Sequence, residues 1–421
     1  MKIVLINHTF QEERFYKRWK LLAETHPDLD VTLLAPASYK WGGGAALTYG
    51  KSYVQEGHTV ESDRFHIKLI HLERHRYSSW TSKDMVNEIL AIRPDVVYHI
   101  GEHTQDSLMQ LLRLKKSGKL PNTKFLAFSM RGHQHALKRE RVSGSPLVSL
   151  RKGILYQVKK RKVAMLNRYC DAVFCHYPDG RDEFIREGYT GPIYMQTQVG
   201  VDVDVFHPDT QAREKIRAKY GIGDAYLFGS ASRFNASKGL SEVVAALPIE
   251  GNWKYLMMGH GRDDEVAKIK AEIAQRGLQD KIILTGYIDN WADMAEHWNA
   301  LDCAVHAPLT TPQWEETFSL ALVQAMATGL PVIGSSSGSV PYQIGLDGIV
   351  LPEGDIQKLH DQFVYMMEHP EEGRKIGEKM LARATTCFDI RPLDELFYQT
   401  IVDIMNGVYD EKKADMVAYH Q

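Results

Sequence analysis

Short apolar runs alternate with longer segments of helical periodicity along the whole chain. Ile3–Ile6, Val31–Leu34, Ile67–Ile70, Val96–Ile100, Phe125–Phe128, Val173–Cys175 and Tyr194–Val199 read as buried strands. Between several of them, Glu12–Thr25, Lys83–Ile92 and Gln105–Lys116 repeat apolar residues every three to four positions, as amphipathic helices do. Strands separated by helices of this length predict βαβ units and a parallel sheet covered on both faces. The pattern pauses from Gly200 to Pro208. It restarts with Tyr226–Ser230, Tyr255–Met258, Ile282–Leu284, Ala304–Val305, Val332–Ile333 and Ile349–Leu351. From about Ile356 the chain reads as helical, with Pro370 and Pro392 dividing it into at least three helices. The expected fold is α/β, with two Rossmann-like, doubly wound domains over 1–200 and 201–389. The helices of about 390–421 are expected to pack back on the first. Ligands of such sheets sit at the carboxyl ends of the strands, so two facing sheets would place the site in a cleft.

The length of 421 residues fits this division. Lys plus Arg (51) nearly balance Asp plus Glu (53), which argues against nucleic-acid binding through global charge. No stretch of about 18 apolar residues occurs, so no bilayer span is expected. Met1–Asn7 is too short an apolar run for a signal peptide, and the expected location is cytoplasmic. Cys170, Cys175, Cys303 and Cys387 contain no CxxC pair, which favours buried free thiols over a zinc ribbon or disulfide framework.

Candidate chemistry concentrates in the second half. The run from Trp314 to Gly334 places Glu315 and Glu316 before an apolar helix that closes on Gly329, with Pro331 opening the next strand. A helix N-terminus after a strand-end loop presents N–H groups to a phosphate, and Glu316 could accept hydrogen bonds from sugar hydroxyls. Equal weight falls on a plainer role, in which both carboxylates complement the helix dipole. Upstream, Gly229 to Gly239 follows a strand and carries Arg233 and Lys238. Two fixed cations suit a diphosphate leaving group, although lone Arg and Lys residues mostly occupy solvated loops. Leu256 to Arg262 is a strand ending in a Gly-rich turn.

Together these pieces resemble glycosyltransferase family 4, retaining nucleotide-sugar-dependent enzymes of the GT-B fold. The resemblance runs from about Gly200 to Asp355 in the family's order. Gly200-Val201-Asp202 with Phe206-His207-Pro208 is similar to the inter-domain segment, and Arg233 with Lys238-Gly239 to the pyrophosphate-binding pair. Lys281 through Gly286-Tyr287 is similar to the strand and turn that meet the base. Glu316 with Phe318-Ser319 matches the start of the Glu–seven residues–Glu element, and Gly338 to Pro341 and Leu351 to Asp355 match the turns that follow. Two positions depart: Gln324 replaces the second glutamate, which in the family holds the ribose, and Tyr342 stands where Glu is common. An amide still accepts and donates but loses the charge-assisted part of the bond.

The resemblance implies a hexosyltransferase moving sugar from a UDP- or GDP-type donor to a carbohydrate or lipid-linked acceptor, with retention and without a metal or other cofactor. It implies that Arg233 and Lys238 stabilise the β-phosphate and Glu316 orients the sugar. Gly286, Tyr287, Thr317, Phe318, Ser319, Leu320 and Gln324 would bind the donor, helped by N–H groups near Phe318 and Ser319. Two other readings stand beside it: a catalytically silent sugar-nucleotide-binding or scaffold subunit, and a GT-B sugar-nucleotide epimerase. Asp202-Val203-Asp204 looks like a metal-binding DxD, but its inter-domain place makes it structural.

The first half is expected to bind the acceptor. His103 and His133 are its candidate functional histidines, each following a predicted strand, and Gly42-Gly43-Gly44 is a candidate acceptor loop or a simple turn. Leu147 to Arg168 reads as a long helix with apolar Leu147, Leu150, Ile154, Val158 and Met165. Arg151, Lys152, Lys159, Lys160, Arg161 and Lys162 crowd its other faces, with Lys138, Arg139 and Arg141 upstream. The basic segment 138–168 has two readings: peripheral contact with anionic lipid, and, favoured, a core helix with a solvated basic face or an anionic-acceptor groove.

Overall fold

Alternate residues of the strand Lys2–Ile6 enter different cores, Ile3 and Leu5 one and Val4 and Ile6 the other, as in any strand buried on both faces. The computed structural model describes residues 1–10, 12–41, 53–76, 79–130, 146–312 and 314–420. They fall into two units. The first takes in residues 1–41, Tyr53–Val199 and the chain from Leu393 onward; the second is Gly200–Pro392.

The first unit is built on an eight-stranded sheet. Its order is Ile193–Met195, Ala172–Cys175, Lys124–Phe128, Val96–Ile100, Lys2–Ile6, Asp30–Pro36, Phe65–Ile70 and Val60–Glu61. The pairings are parallel except for Val60–Glu61 at the edge. Helices Glu13–Thr25, Lys83–Ile92 and Asp106–Lys116 form where the periodicity places them. Two antiparallel ribbons were not legible in the sequence, Ser38–Trp41 with Tyr53–Glu56 and Arg74–Arg76 with Ser79–Thr81. Strands of three or four mixed residues carry too little alternation to stand out.

The expected strand Tyr194–Val199 stops at Met195. Beyond it the polar residues turn to the C-terminal segment: Gln196 Nε2 donates to Thr400 Oγ1 at 2.8 Å and to the Lys413 carbonyl at 2.8 Å. The helix Ile390–Met405 contributes Phe397 and Ile401 to the same core as Trp19 and Tyr98. Pro392 does not break that helix. It is the third residue of the first turn, where an N–H has no intrahelical acceptor and its loss costs little.

The helix Pro146–Tyr169 exists, and of its expected apolar face Met165 packs against the core. Val163 and Leu166 are buried, whereas Val158 is exposed together with Leu155. Two of its cations turn inward. Lys159 pairs with Glu183 and Glu187, and Lys162 donates to the Thr104 carbonyl at 2.6 Å and to Asp106 at 3.0 Å.

The second unit has a six-stranded parallel sheet in the order Ile282–Gly286, Trp253–Met258, Tyr226–Ala231, Cys303–His306, Val332–Ser335 and Ile349–Leu351. Phe228, Tyr255, Met257, Val305, Ile333 and Phe363 belong to one of its cores. From Tyr226–Ala231 the chain builds outward in one direction, and from Cys303–His306 in the other. These adjacent strands define a topological switch point, the place where open α/β sheets bind ligands.

Candidate active site

The loops leaving the two switch-point strands are zipped together. Leu309 N–H donates to the Ser237 carbonyl at 2.9 Å. Gly239 makes the approach possible: its φ is +67°, and a Cβ there would stand 1.9 Å from the Ala307 carbonyl oxygen. This contact brings Lys238, on the first loop, to Glu316, on the second. Lys238 Nζ donates to Glu316 Oε2 at 2.6 Å, and the two side chains are 11% and 9% exposed.

The turn after the next strand holds the Glu316 backbone. Ser339 N–H donates to the Glu316 carbonyl at 2.7 Å. Gly338 lies against that carbonyl with φ +49°, where a Cβ would come within 2.0 Å of the oxygen. Ser319 caps the helix Leu320–Ala327 by accepting from Leu322 N–H at 3.2 Å. Its own N–H donates to Gln343 Oε1 at 2.9 Å. Of the N–H groups near Phe318 and Ser319 expected to meet a phosphate, that of Ser319 is thus taken by the buried Gln343 amide.

The dipole reading of Glu316 is corrected too. The helix begins only at Leu320, with no acidic residue in its first turn, and the dipole's influence falls off within that turn. Glu316 instead serves Lys238. It has a second neighbour that sequence reasoning passed over: His306 Nε2, at the end of its strand, stands 3.3 Å from the same Glu316 oxygen. Burial pushes the Glu316 carboxyl upward, but the Lys238 charge and His306 outweigh burial and hold it at about 2. A folded-state value below the unfolded one (about 4.3) gives stability that is complete above that value and lost as pH falls through about 2. Urea midpoints measured from pH 5 down to pH 2 should therefore fall more steeply for the native protein than for Glu316→Gln.

The remaining sequence candidates scatter. Arg233 is exposed on the Lys238 loop, and Thr317, Phe318 and Leu320 flank the cap. Gln324 is buried in the helix that Ser319 caps. Gly286 ends its strand with φ +77° and accepts from Gly259 N–H at 2.9 Å through its carbonyl; Tyr287 beside it is exposed. His103 belongs to the first unit, where it is 1% exposed, 2.6 Å from Glu187 Oε2 and 3.1 Å from Ser129 Oγ. His133 and Gly42-Gly43-Gly44 lie outside the described residues. Asp202 is buried, and Arg391 pairs with Asp204 and Asp389 and reaches Asp202 at 3.6 Å. Among the described residues no group of three His, Cys, Asp or Glu is placed to hold a metal ion.

Residues 212–382 match the family of glycosyl transferases group 1. This stretch is a group 1 glycosyl transferase domain. It contains both switch-point loops, Lys238, Glu316 and Gln324. Over 229 residues the chain is 35% identical to an MMP alpha-(1->4)-mannosyltransferase of Mycolicibacterium hassiacum, covering 52% of this chain and 49% of that protein. Over 203 residues it is 25% identical to the N-acetyl-alpha-D-glucosaminyl L-malate synthase of Bacillus anthracis, covering 46% and 51%. The chain thus spans about half the length of these curated relatives. The structure is similar to that of HepE from Anabaena in complex with UDP (TM-score 0.69, 16% identity, 96% of this chain and 100% of that one). It is also similar to sucrose-phosphate synthase of Thermosynechococcus elongatus (TM-score 0.68, 17% identity, 97% and 100%). At these identities the likeness establishes the fold, which is GT-B: two Rossmann-like α/β domains, the second of them the group 1 domain.

Proposed function

We propose that the chain is a retaining, metal-independent glycosyltransferase that moves a hexose from a UDP- or GDP-type sugar to a carbohydrate or lipid-linked hydroxyl. The carrying observation is the Lys238–Glu316 pair at the switch point of the group 1 domain. An ammonium has three N–H donors; Glu316 takes one, and the charge itself can meet a β-phosphate. Lys238 and Arg233 stabilise the negative charge that grows as the nucleotide departs. Glu316, held ionised, accepts hydrogen bonds from the sugar. Leu320, whose N–H has no intrahelical acceptor, donates to the diphosphate, with Thr317 and Phe318 alongside. Gly286 and Tyr287 meet the base, and Gln324 the ribose. His103, and His133 after it, are proposed on the acceptor side.

Both nucleotides have support among similar proteins. A Mycobacterium tuberculosis relative, 27% identical over 172 residues, is a GDP-mannose-dependent mannosyltransferase, and the Anabaena protein was crystallised with UDP-glucose. The test is to incubate the chain with UDP- and GDP-hexoses and assay the released nucleoside diphosphate. Slow release without acceptor from at least one sugar is expected. Binding with no release at all would leave the silent-subunit reading, to which Gln324 lends its weight.

The acceptor can be lipid-linked. No helix among the described residues is long and apolar enough to cross a membrane. Exposed Leu155 and Val158, beside exposed Lys160 and Arg161 on the helix Pro146–Tyr169, support a peripheral contact with anionic lipid at the cytoplasmic face. The chain should then float with phosphatidylserine-containing vesicles and not with phosphatidylcholine alone. Leu155→Glu should abolish flotation, and a chain that stays in the pellet fraction with both would end the idea.

A further inference from the structure

We infer that Trp314 is a positioning residue that braces Lys238 from the side opposite in chemistry to Glu316; the inference rests on the transferase reading of this site. Lys238 Nζ lies 4.3 Å from the centre of the Trp314 ring while donating to Glu316 at 2.6 Å. The two contacts act differently. The carboxylate fixes the ammonium and also neutralises it, whereas the face of an indole attracts a cation through its quadrupole and leaves the net charge intact. A lysine held by Glu316 alone would lose its anchor whenever the carboxylate turned to a sugar hydroxyl. One held also by a ring keeps its place and its full charge for a phosphate.

The fold commits several groups to placing this ring. Trp314 and Thr311 exchange backbone hydrogen bonds, Thr311 N–H to the Trp314 carbonyl at 2.7 Å and the return bond at 3.3 Å. The adjacent Thr310 is pinned by Glu353, on the loop after the last strand. Its N–H donates to Glu353 Oε2 at 2.5 Å and its hydroxyl to Oε1 at 2.7 Å, and Ser337 Oγ lies 2.9 Å from the same hydroxyl. The path from Glu353 through Thr310 and Thr311 to Trp314 therefore ends on the ammonium. The ring itself is only half-buried, so it is not placed there by core packing.

The experiment combines a ligand-free and a ligand-bound readout on Trp314→Leu, Trp314→Phe, Lys238→Ala and the double variant Trp314→Leu/Lys238→Ala, each shown by circular dichroism to be folded at the temperature of measurement. Without ligand, the Lys238 ε-methylene protons should show an upfield ring-current shift in the native protein, kept in Trp314→Phe and lost in Trp314→Leu. With UDP and GDP as probes, calorimetry should show Trp314→Leu weakening the binding by about 3- to 30-fold, with Trp314→Phe restoring most of it. In the Lys238→Ala background the same Trp314→Leu change should cost nothing further, because the ring acts through the lysine. Equal losses in both backgrounds, or a native spectrum without the shift, overturn the inference. A native protein that shows the shift yet binds neither nucleotide contradicts the transferase reading and leaves the brace standing.

Discussion

Lys238→Ala is expected to lower kcat for the cognate nucleoside-diphosphate sugar by about 10²- to 10³-fold, the usual cost of removing one preorganised donor aimed at developing charge. The size of the effect follows from where the ammonium sits. Lys238 is almost buried, so its charge is little screened by water. It is also held at two points before any ligand arrives, so little reorganisation is needed as the leaving group gains charge. The same substitution strips Glu316 of the larger of the two partners that oppose burial, leaving His306, so its carboxyl should titrate at a higher pH and the acid limb of the pH–rate profile should move upward. Steady-state kinetics across pH on native and Lys238→Ala protein measure both. A variant with native kcat and an unmoved acid limb would remove Lys238 from the mechanism.

Asp394→Ala should destabilise the first unit by about 3–5 kcal/mol, because it leaves a buried guanidinium without its counter-ion. Arg18 donates through Nε to Asp394 Oδ1 at 2.5 Å, through Nη1 to the Thr197 carbonyl at 2.6 Å and through Nη2 to the Leu393 carbonyl at 3.1 Å. The two charged side chains are 6% and 4% exposed. These bonds join three pieces remote in sequence: the helix Glu13–Thr25, the segment just after the strand Ile193–Met195 and the first turn of the helix Ile390–Met405. For a unit of this size the loss corresponds to a fall of about 6–20 °C in its melting transition. The double change Arg18→Met/Asp394→Leu should recover much of it, since a buried ion pair gains little over apolar residues of similar volume. Calorimetry resolving the two units separates this effect from any change in the second.

The parallel strands of both sheets were legible because buried strands write continuous apolar runs, and Lys83–Ile92 because its period is uninterrupted. Lys238 and Glu316 were legible as members of one site because each sits where its loop leaves a strand. Their direct pairing was not: 78 positions separate them in sequence, and nothing local says whether a carboxylate meets a sugar, a dipole or a lysine. His306 and Trp314 were missed for a similar reason. His306 ends an apolar strand and reads as part of it, and Trp314 acquires a role only through the Thr311 turn that aims its ring. Gln343 was invisible because its work is to satisfy the Ser319 backbone, a need that arises only once Ser339 and Ser319 are adjacent.

The most direct measurement of the central claim is calorimetric titration of UDP and GDP into the native protein and into Lys238→Ala. One site per chain is expected for at least one of the two nucleotides, with affinity reduced tenfold or more in the variant, about 1.4 kcal/mol at the least. Equal affinity in the two proteins, or no binding of either nucleotide to the native one, would contradict that claim.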